Sequence, residues 1–375
     1  MAPETIETIP RSGLQDLTLS NDACITDVKS VSSYSWIEAP TPTIAVPGSP
    51  SLWSPPAVRI QPPKDSGIYN IGENARRFPR SPMAPLFRAL FTTNPSFDLR
   101  PIDVISDRHN IRKLLSFVDP VSDRDKGESF TIKLELVRNT LLMCRSETNV
   151  SHSMGPYSFR GYGHEFEKVC TVKGILSSTS HHGIISYDFC GLKFMIRHET
   201  VAYVSAETDA IARLETGIPP DPDCRVSLGN KVSKVKRDSD MVTVILRGKT
   251  IPLMSTLDIK TRSLTRPERF AEVAPKLWVS QTPKFVQAFH LRGSFVTPGV
   301  RDVRAGIREW ERGNQKNLRI LGALIEKIIT VMKGCGGRAV LRYDVSSASL
   351  IISRDEGDEG MLPANLYSKW DELLS

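Results

Sequence analysis

Between residues 130 and 262 apolar and polar positions alternate in short runs, the period of half-buried strands. SFTIKLELVRNTLLMCR opens on that alternation and turns helical in pattern beyond Arg138. Residues 185–206 predict two strands joined at Cys190-Gly191, and residues 241–262 predict another pair turning at Arg247-Gly248. Upstream, MAPLFRALFTT predicts a short helix and residues 110–118 place apolar side chains at helical spacing. Downstream, residues 316–334 form the clearest amphipathic helix, stopped by glycines, and RAVLRYDVSSASLIISR predicts two closing strands. No internal repeat is visible. Strands, then a helix, then strands again predict an α/β (α+β) fold with a mixed central β-sheet flanked by helices.

The first 83 residues read differently. Residues 1–30 are acidic and rich in Ser and Thr, which predicts a disordered tail. Residues 31–83 begin Pro-rich yet carry Tyr34, Trp36, Leu52 and Trp53, so they predict an extended arm packed on the body. Residues 84–375 then form one domain, a length that supports a single large core.

Composition narrows the class. No apolar run reaches the roughly 18 residues of a membrane span. The N-terminus lacks the basic and apolar stretches of a secretory leader, which predicts an intracellular protein, nuclear or cytoplasmic. Six cysteines, Cys24, Cys144, Cys170, Cys190, Cys224 and Cys335, form no CxxC pair and read as buried thiols. The net charge is +7, unevenly spread: residues 1–60 hold six acids against three bases, so the remainder carries +10. A basic body suits a polyanion such as nucleic acid.

Two acids and a lysine fall on neighbouring strand-like segments: Glu199 in FMIRHETVAYV, Asp258 and Lys260 in STLDIKTR. Positions i and i+2 of a strand share a face, so Asp258 and Lys260 point the same way with Ile259 behind. A carboxylate there can hold Mg²⁺ or Mn²⁺ through hard oxygen, the Ile259 carbonyl can add a ligand, and the ammonium can orient water and offset phosphate charge. Further pieces flank them. LVRNTLL places Arg138 at the end of a strand-like run, GYGHEFE puts a glycine turn ahead of Glu167, and KLWVSQTPKFV puts Gln281 at the head of an apolar segment.

In this order the pieces resemble the DXO-type decapping exonuclease family, whose core is PD-(D/E)XK nuclease-like. That family runs through an arginine motif, G-Y-x-F-E, E-x-D, E-x-K and a glutamine near a Trp. The resemblance spans most of residues 30–350. It implies that Arg138 contacts RNA, that Glu167, Glu199, Asp258 and the Ile259 carbonyl hold the metal, and that Lys260 and Gln281 position water and substrate. It implies a monomeric hydrolase acting on single-stranded RNA 5′ ends by decapping, pyrophosphohydrolase or 5′–3′ exonuclease activity, with a nuclease as a protein partner. The chain departs from the pattern at three places. Val201 stands where E-x-D has its second acid, Asp258 replaces Glu, and two extra residues in GYGHEFE leave Glu165 competing with Glu167. Loss of an acid weakens two-metal catalysis most, which keeps open an impaired member that binds RNA or protein, or a pathway-specific accessory protein. His198, beside Glu199, is expected to face away.

Other motifs dissolve on inspection. Gly248-Lys249-Thr250 has Thr243 where a phosphate loop needs glycine, and it lies between strands. Asp123, Asp125 and Gly127 lack the third acid of a calcium loop. His181 and His182 read as a loop pair.

Overall fold

The computed structural model describes residues 3–17, 22–70, 72–120, 128–146, 151–154, 161–205, 241–265, 269–296, 298–357 and 359–371. Cys224 and the Asp123–Gly127 turn lie outside the described residues. Among those described, one mixed sheet has eleven strands. At its centre Val104–Asp107 runs parallel to both Thr140–Ser146 and Leu192–Glu199. Leu192–Glu199 pairs with Ser178–Phe189, which continues through Thr26–Ile37 and Thr43–Gly48 to Thr243–Gly248. On the other side Phe130–Val137 leads through Arg338–Asp344 and Ser349–Arg354 to Thr5–Pro10.

Alternation along these strands feeds two apolar layers. Val104, Leu141, Phe194 and Ile196 enter one, packed under the helices Arg108–Val118, Phe270–Ser280 and Gln315–Gly334. Ile105, Leu142 and Met195 enter the other, under the helix Ala84–Thr93. The amphipathic helix expected at 316–334 is therefore present with nearly those bounds. Its Gly322 lies so close to the turn at Cys190 that a methyl group there would meet the Cys190 Sγ at 2.5 Å. A second sheet has seven strands, with Thr256–Ser263 and Lys284–Leu291 parallel at its centre and Ala202–Tyr203 beside them.

Several expectations change. The acidic tail contributes Thr5–Pro10 as an edge strand and Leu14 to the core. The arm is part of the sheet: in Thr26–Ile37, Tyr34 and Trp36 are fully buried and both donate hydrogen bonds to Asn74 Oδ1, at 2.6 and 2.9 Å. Beyond Arg138 the chain forms a strand rather than a helix, because Leu141 and Leu142 are buried on opposite faces. Thr243–Gly248 and Thr256–Ser263 join different sheets, so Arg247-Gly248 is not a hairpin turn. His181 and His182 sit within a strand. Among the described residues no helix is long and apolar enough to cross a membrane.

Trp36→Ala should lower unfolding free energy by about 3–5 kcal/mol through cavity formation. Urea unfolding checks this. A loss below about 1 kcal/mol would restore the picture of a loosely appended arm.

Candidate active site

Parallel strands deliver their C-terminal ends to one edge of a sheet, and here that edge gathers charge. Arg197, nearly fully buried, pairs with Asp107 through Nε at 2.6 Å and Nη2 at 2.9 Å, and donates to the Pro82 carbonyl at 2.7 Å. Burial opposes its charge, but Asp107 outweighs that and holds the guanidinium more firmly protonated than usual. Asp107 immediately precedes the helix Arg108–Val118, and Arg197 lies two residues before Glu199. The pair thus sets Arg108 beside Glu199, whose carbonyl accepts a hydrogen bond from Arg108 Nη1 at 3.3 Å.

Just past Glu199 the chain changes sheets. Ala202–Tyr203 pairs antiparallel with Leu257 and Thr256, which brings Asp258 to the same region. Ile259 packs into an apolar cluster with Phe166 and Val286, so Asp258 and Lys260 share the opposite face, as the sequence predicts. Asp258 is 5% exposed. Its Oδ1 accepts the Ile259 N–H at 3.0 Å and Lys276 Nζ at 2.8 Å, and its Oδ2 accepts Lys276 Nζ at 2.7 Å. Burial pushes this carboxyl up, but Lys276, Arg108 and Lys260 together hold it below the usual range.

The third acid comes from the helix Gly163–Cys170, docked through buried Phe166 and Cys170. Glu165 turns to Lys168, and its backbone N–H donates to Asp65 Oδ1 at 2.9 Å. Glu167 is the one that meets the cluster. Burial, then the charges of Glu199, Asp258 and Asp65, push its carboxyl up to about 8, with Lys276 acting against them. Of the two glutamates in GYGHEFE, it is Glu167 on which the charges of Glu199 and Asp258 act.

Two expected residues are placed otherwise. Arg138 sits in the turn between Phe130–Val137 and Thr140–Ser146 with φ of 55°, and pairs with Asp371 at 2.8 Å. That turn precedes Thr140–Ser146, whereas Glu199 ends the strand Leu192–Glu199; since both strands run parallel to Val104–Asp107, Arg138 is at the opposite edge of the sheet from Glu199. Gln281 caps the end of the helix Phe270–Ser280 rather than heading a helix, with φ of 49° and its Nε2 donating to the Trp278 carbonyl at 2.6 Å. Val201 packs against the Ile259 cluster, so apolar contact fills the place of the absent acid.

Sequence reading passed over Lys276, Arg108, Arg112 and Arg145. Arg108 and Arg112 are four apart and share a helix face, a spacing visible in RHNIR. Burial weakens the Arg108 charge, Asp258 and Glu199 strengthen it, and Arg112 opposes it. His109 lies among Arg145, Lys113, Arg112 and Arg108; burial first, then these four charges, push its imidazole down to about 2. His198 is buried, and neither ring nitrogen has a hydrogen-bond partner among the described atoms. Its imidazole lies beside Gly183 of the neighbouring strand, where a Cβ would meet Nε2 at 3.0 Å, and the charges of Arg108 and Asp258 reach it there.

Among the described residues no three His, Cys, Asp or Glu side chains form a ready-made metal cage. Carboxylate oxygens are the hard donors a divalent cation prefers, and here both oxygens of Asp258 are engaged by Lys276.

The profile of one protein family, described as a domain of unknown function (DUF8563), matches residues 15–360. No curated protein matches the sequence. Among solved structures, Scheffersomyces stipitis Rai1 in complex with (3′-NADP)+ and calcium ion superposes with a TM-score of 0.62 at 12% identity, over 96% of this chain and 98% of that one. S. pombe Rai1 in complex with 3′-FADP gives 0.59 at 12%, over 93% and 99%. Candida albicans Rai1 in complex with pU5-Mn²⁺ gives 0.53 at 10%, over 97% and 98%. At such identities the likeness is one of fold. At that level it bears out the DXO-type resemblance carried by the motifs.

Glu167 titrates higher in the folded chain than in the unfolded one, where it is an ordinary carboxyl near 4.5. Between those values the unfolded state binds fewer protons, so stability falls as pH rises. Metal-free protein should lose roughly a few kcal/mol between about pH 5 and pH 8 from this group. In Glu167→Gln that slope should shrink. Urea unfolding at both pH values in chelator measures it; an unchanged slope would remove Glu167 from the acidic cluster.

Proposed function

This chain belongs to the DUF8563 family, and from that premise and its Rai1-like fold we propose that it is a divalent-metal-dependent hydrolase of RNA 5′ ends. The observation that carries the reading is the electrostatic coupling of three acids from three separate elements: the charges of Glu199 and Asp258 bear on Glu167, and those of Arg108 and Lys260 bear on Asp258. The S. stipitis and C. albicans Rai1 complexes, which hold calcium with a dinucleotide and Mn²⁺ with pU5, support the choice of ligands.

A Mg²⁺ or Mn²⁺ ion held by Glu167, Glu199, Asp258 and the Ile259 carbonyl would supply Lewis-acid stabilisation of the phosphate and a water of lowered pKa. The chain's own groups do the rest. Lys260, on the Asp258 face of its strand, orients the water and offsets charge growing on phosphate. Gln281 closes the end of the neighbouring helix through its bond to the Trp278 carbonyl. Arg108 and Arg112 clamp the phosphate backbone, the part first assigned to Arg138. Arg145 also lines a cavity of about 380 Å³ together with Arg80, Lys133 and Arg338 and the acids Asp355 and Glu359, the last paired with Arg80. A single strand needs basic contacts, because its affinity comes mostly from phosphate contacts.

One observation favours a second reading. Val201 is packed in an apolar cluster, and a site with one acid fewer is suited to binding RNA without cleaving it. Val201→Asp separates the two: activity that appears only in the variant marks an eroded site.

The direct test is release of cap or 5′ nucleotides from 5′-modified single-stranded RNA in Mn²⁺. Glu199→Ala and Asp258→Ala should each cut the rate by about a hundredfold or more. Activity untouched by both substitutions sinks the proposal. Arg108→Ala should weaken RNA binding and reduce the slope of log affinity against log salt by about one. A filter-binding series from low to high salt reads that slope, and an unchanged one takes Arg108 off the RNA path.

A further inference from the structure

We propose that Lys276 is a tethered cation that competes with a divalent ion for Asp258, so that metal enters only when the lysine side chain leaves. The inference rests on reading the site as a metal centre, and it specifies how that centre is kept closed.

Both carboxylate oxygens of Asp258 are engaged by the same ammonium, at 2.8 and 2.7 Å. Oδ1 also accepts the Ile259 N–H. A carboxylate so occupied has little left for a metal, and an ammonium within 3 Å of the same oxygens repels a dication strongly in a partly dry site. Lysine and metal therefore exclude each other at this residue. The pair is also asymmetric in mobility. The Asp258 side chain is 7% exposed and sits in the middle of a strand, whereas the Lys276 side chain is 25% exposed on a flexible four-carbon stem. The lysine is the partner that can move.

The arrangement answers a need of the fold. A buried carboxylate left without a cation is strongly destabilising. Here the charges of Glu199 and Asp258 both bear on Glu167 and, added to its burial, help keep it protonated, so negative charge is already crowded around the pair. Lys276 meets that need in the absence of metal. Once displaced, Arg108 and Lys260 still support the charged form of Asp258. The freed ammonium remains within a side chain's length of the site, where an incoming 5′ phosphate offers it a new anion. Metal and RNA should therefore favour one another's binding.

The test is Mn²⁺ titration of the full-length protein at fixed pH, followed by the electron paramagnetic resonance of free Mn²⁺. Wild type should bind weakly. Lys276→Met and Lys276→Gln should each bind about tenfold more tightly, equal to about 1.4 kcal/mol, and Lys276→Arg should stay close to wild type. Adding Asp258→Asn to Lys276→Met should abolish the gain. Where the Met variant does not fold, the Gln variant decides. If both neutral variants bind Mn²⁺ no more tightly than a wild type that does bind it, the competition is overturned and the metal centre stands. If wild type and both variants all fail to bind, the competition and the metal reading fall together.

Discussion

The buried ion pair between Arg197 and Asp107 fixes the geometry on which the site depends. It joins the Leu192–Glu199 strand to the start of the Arg108–Val118 helix with two hydrogen bonds shorter than 3 Å. Tyr34, Asn74 and the Pro82 carbonyl extend the network into the N-terminal strands. A pair this deep in the molecule repays its desolvation only when its geometry is held from all sides. That requirement makes residues 26–37 an internal strand rather than a separable arm. Because Arg197 and Asp107 are locked, Glu199, two residues beyond Arg197, and Arg108, next after Asp107, are presented together at the sheet edge.

The chemistry at that edge is a problem of charge balance. Burial of Glu167, with the charges of Glu199 and Asp258 acting on it, leaves a carboxyl that holds its proton to about 8. Lys276 compensates at Asp258, and Arg108 compensates between the sheets. Val201 adds an apolar contact beside them. The arrangement is built on a Rai1-like fold.

Much of this was legible in the sequence. The hairpin at Cys190-Gly191 was readable because two runs of alternation meet at a turn, where both residues indeed have positive φ. The Asp258 and Lys260 face followed from the strand period alone. Three features resisted for physical reasons. Residues 140–146 are buried on both sheet faces, so their continuous apolar run mimics a helix. The acidic tail lacks a core of its own and is ordered by pairing with Ser349–Arg354, some 340 residues away. Motif order suggested an RNA contact at Arg138, but order along the chain does not fix which end of a strand a residue occupies. Lys276 belonged to no motif, and only the docking of its helix shows its partner.

The central claim is an acidic metal site formed by Glu167, Glu199 and Asp258. Anomalous scattering from crystals soaked in Mn²⁺ tests it most directly. A peak within ligating distance of these carboxylates, with the Lys276 side chain displaced from Asp258, is the predicted result. No peak at saturating Mn²⁺ would contradict it.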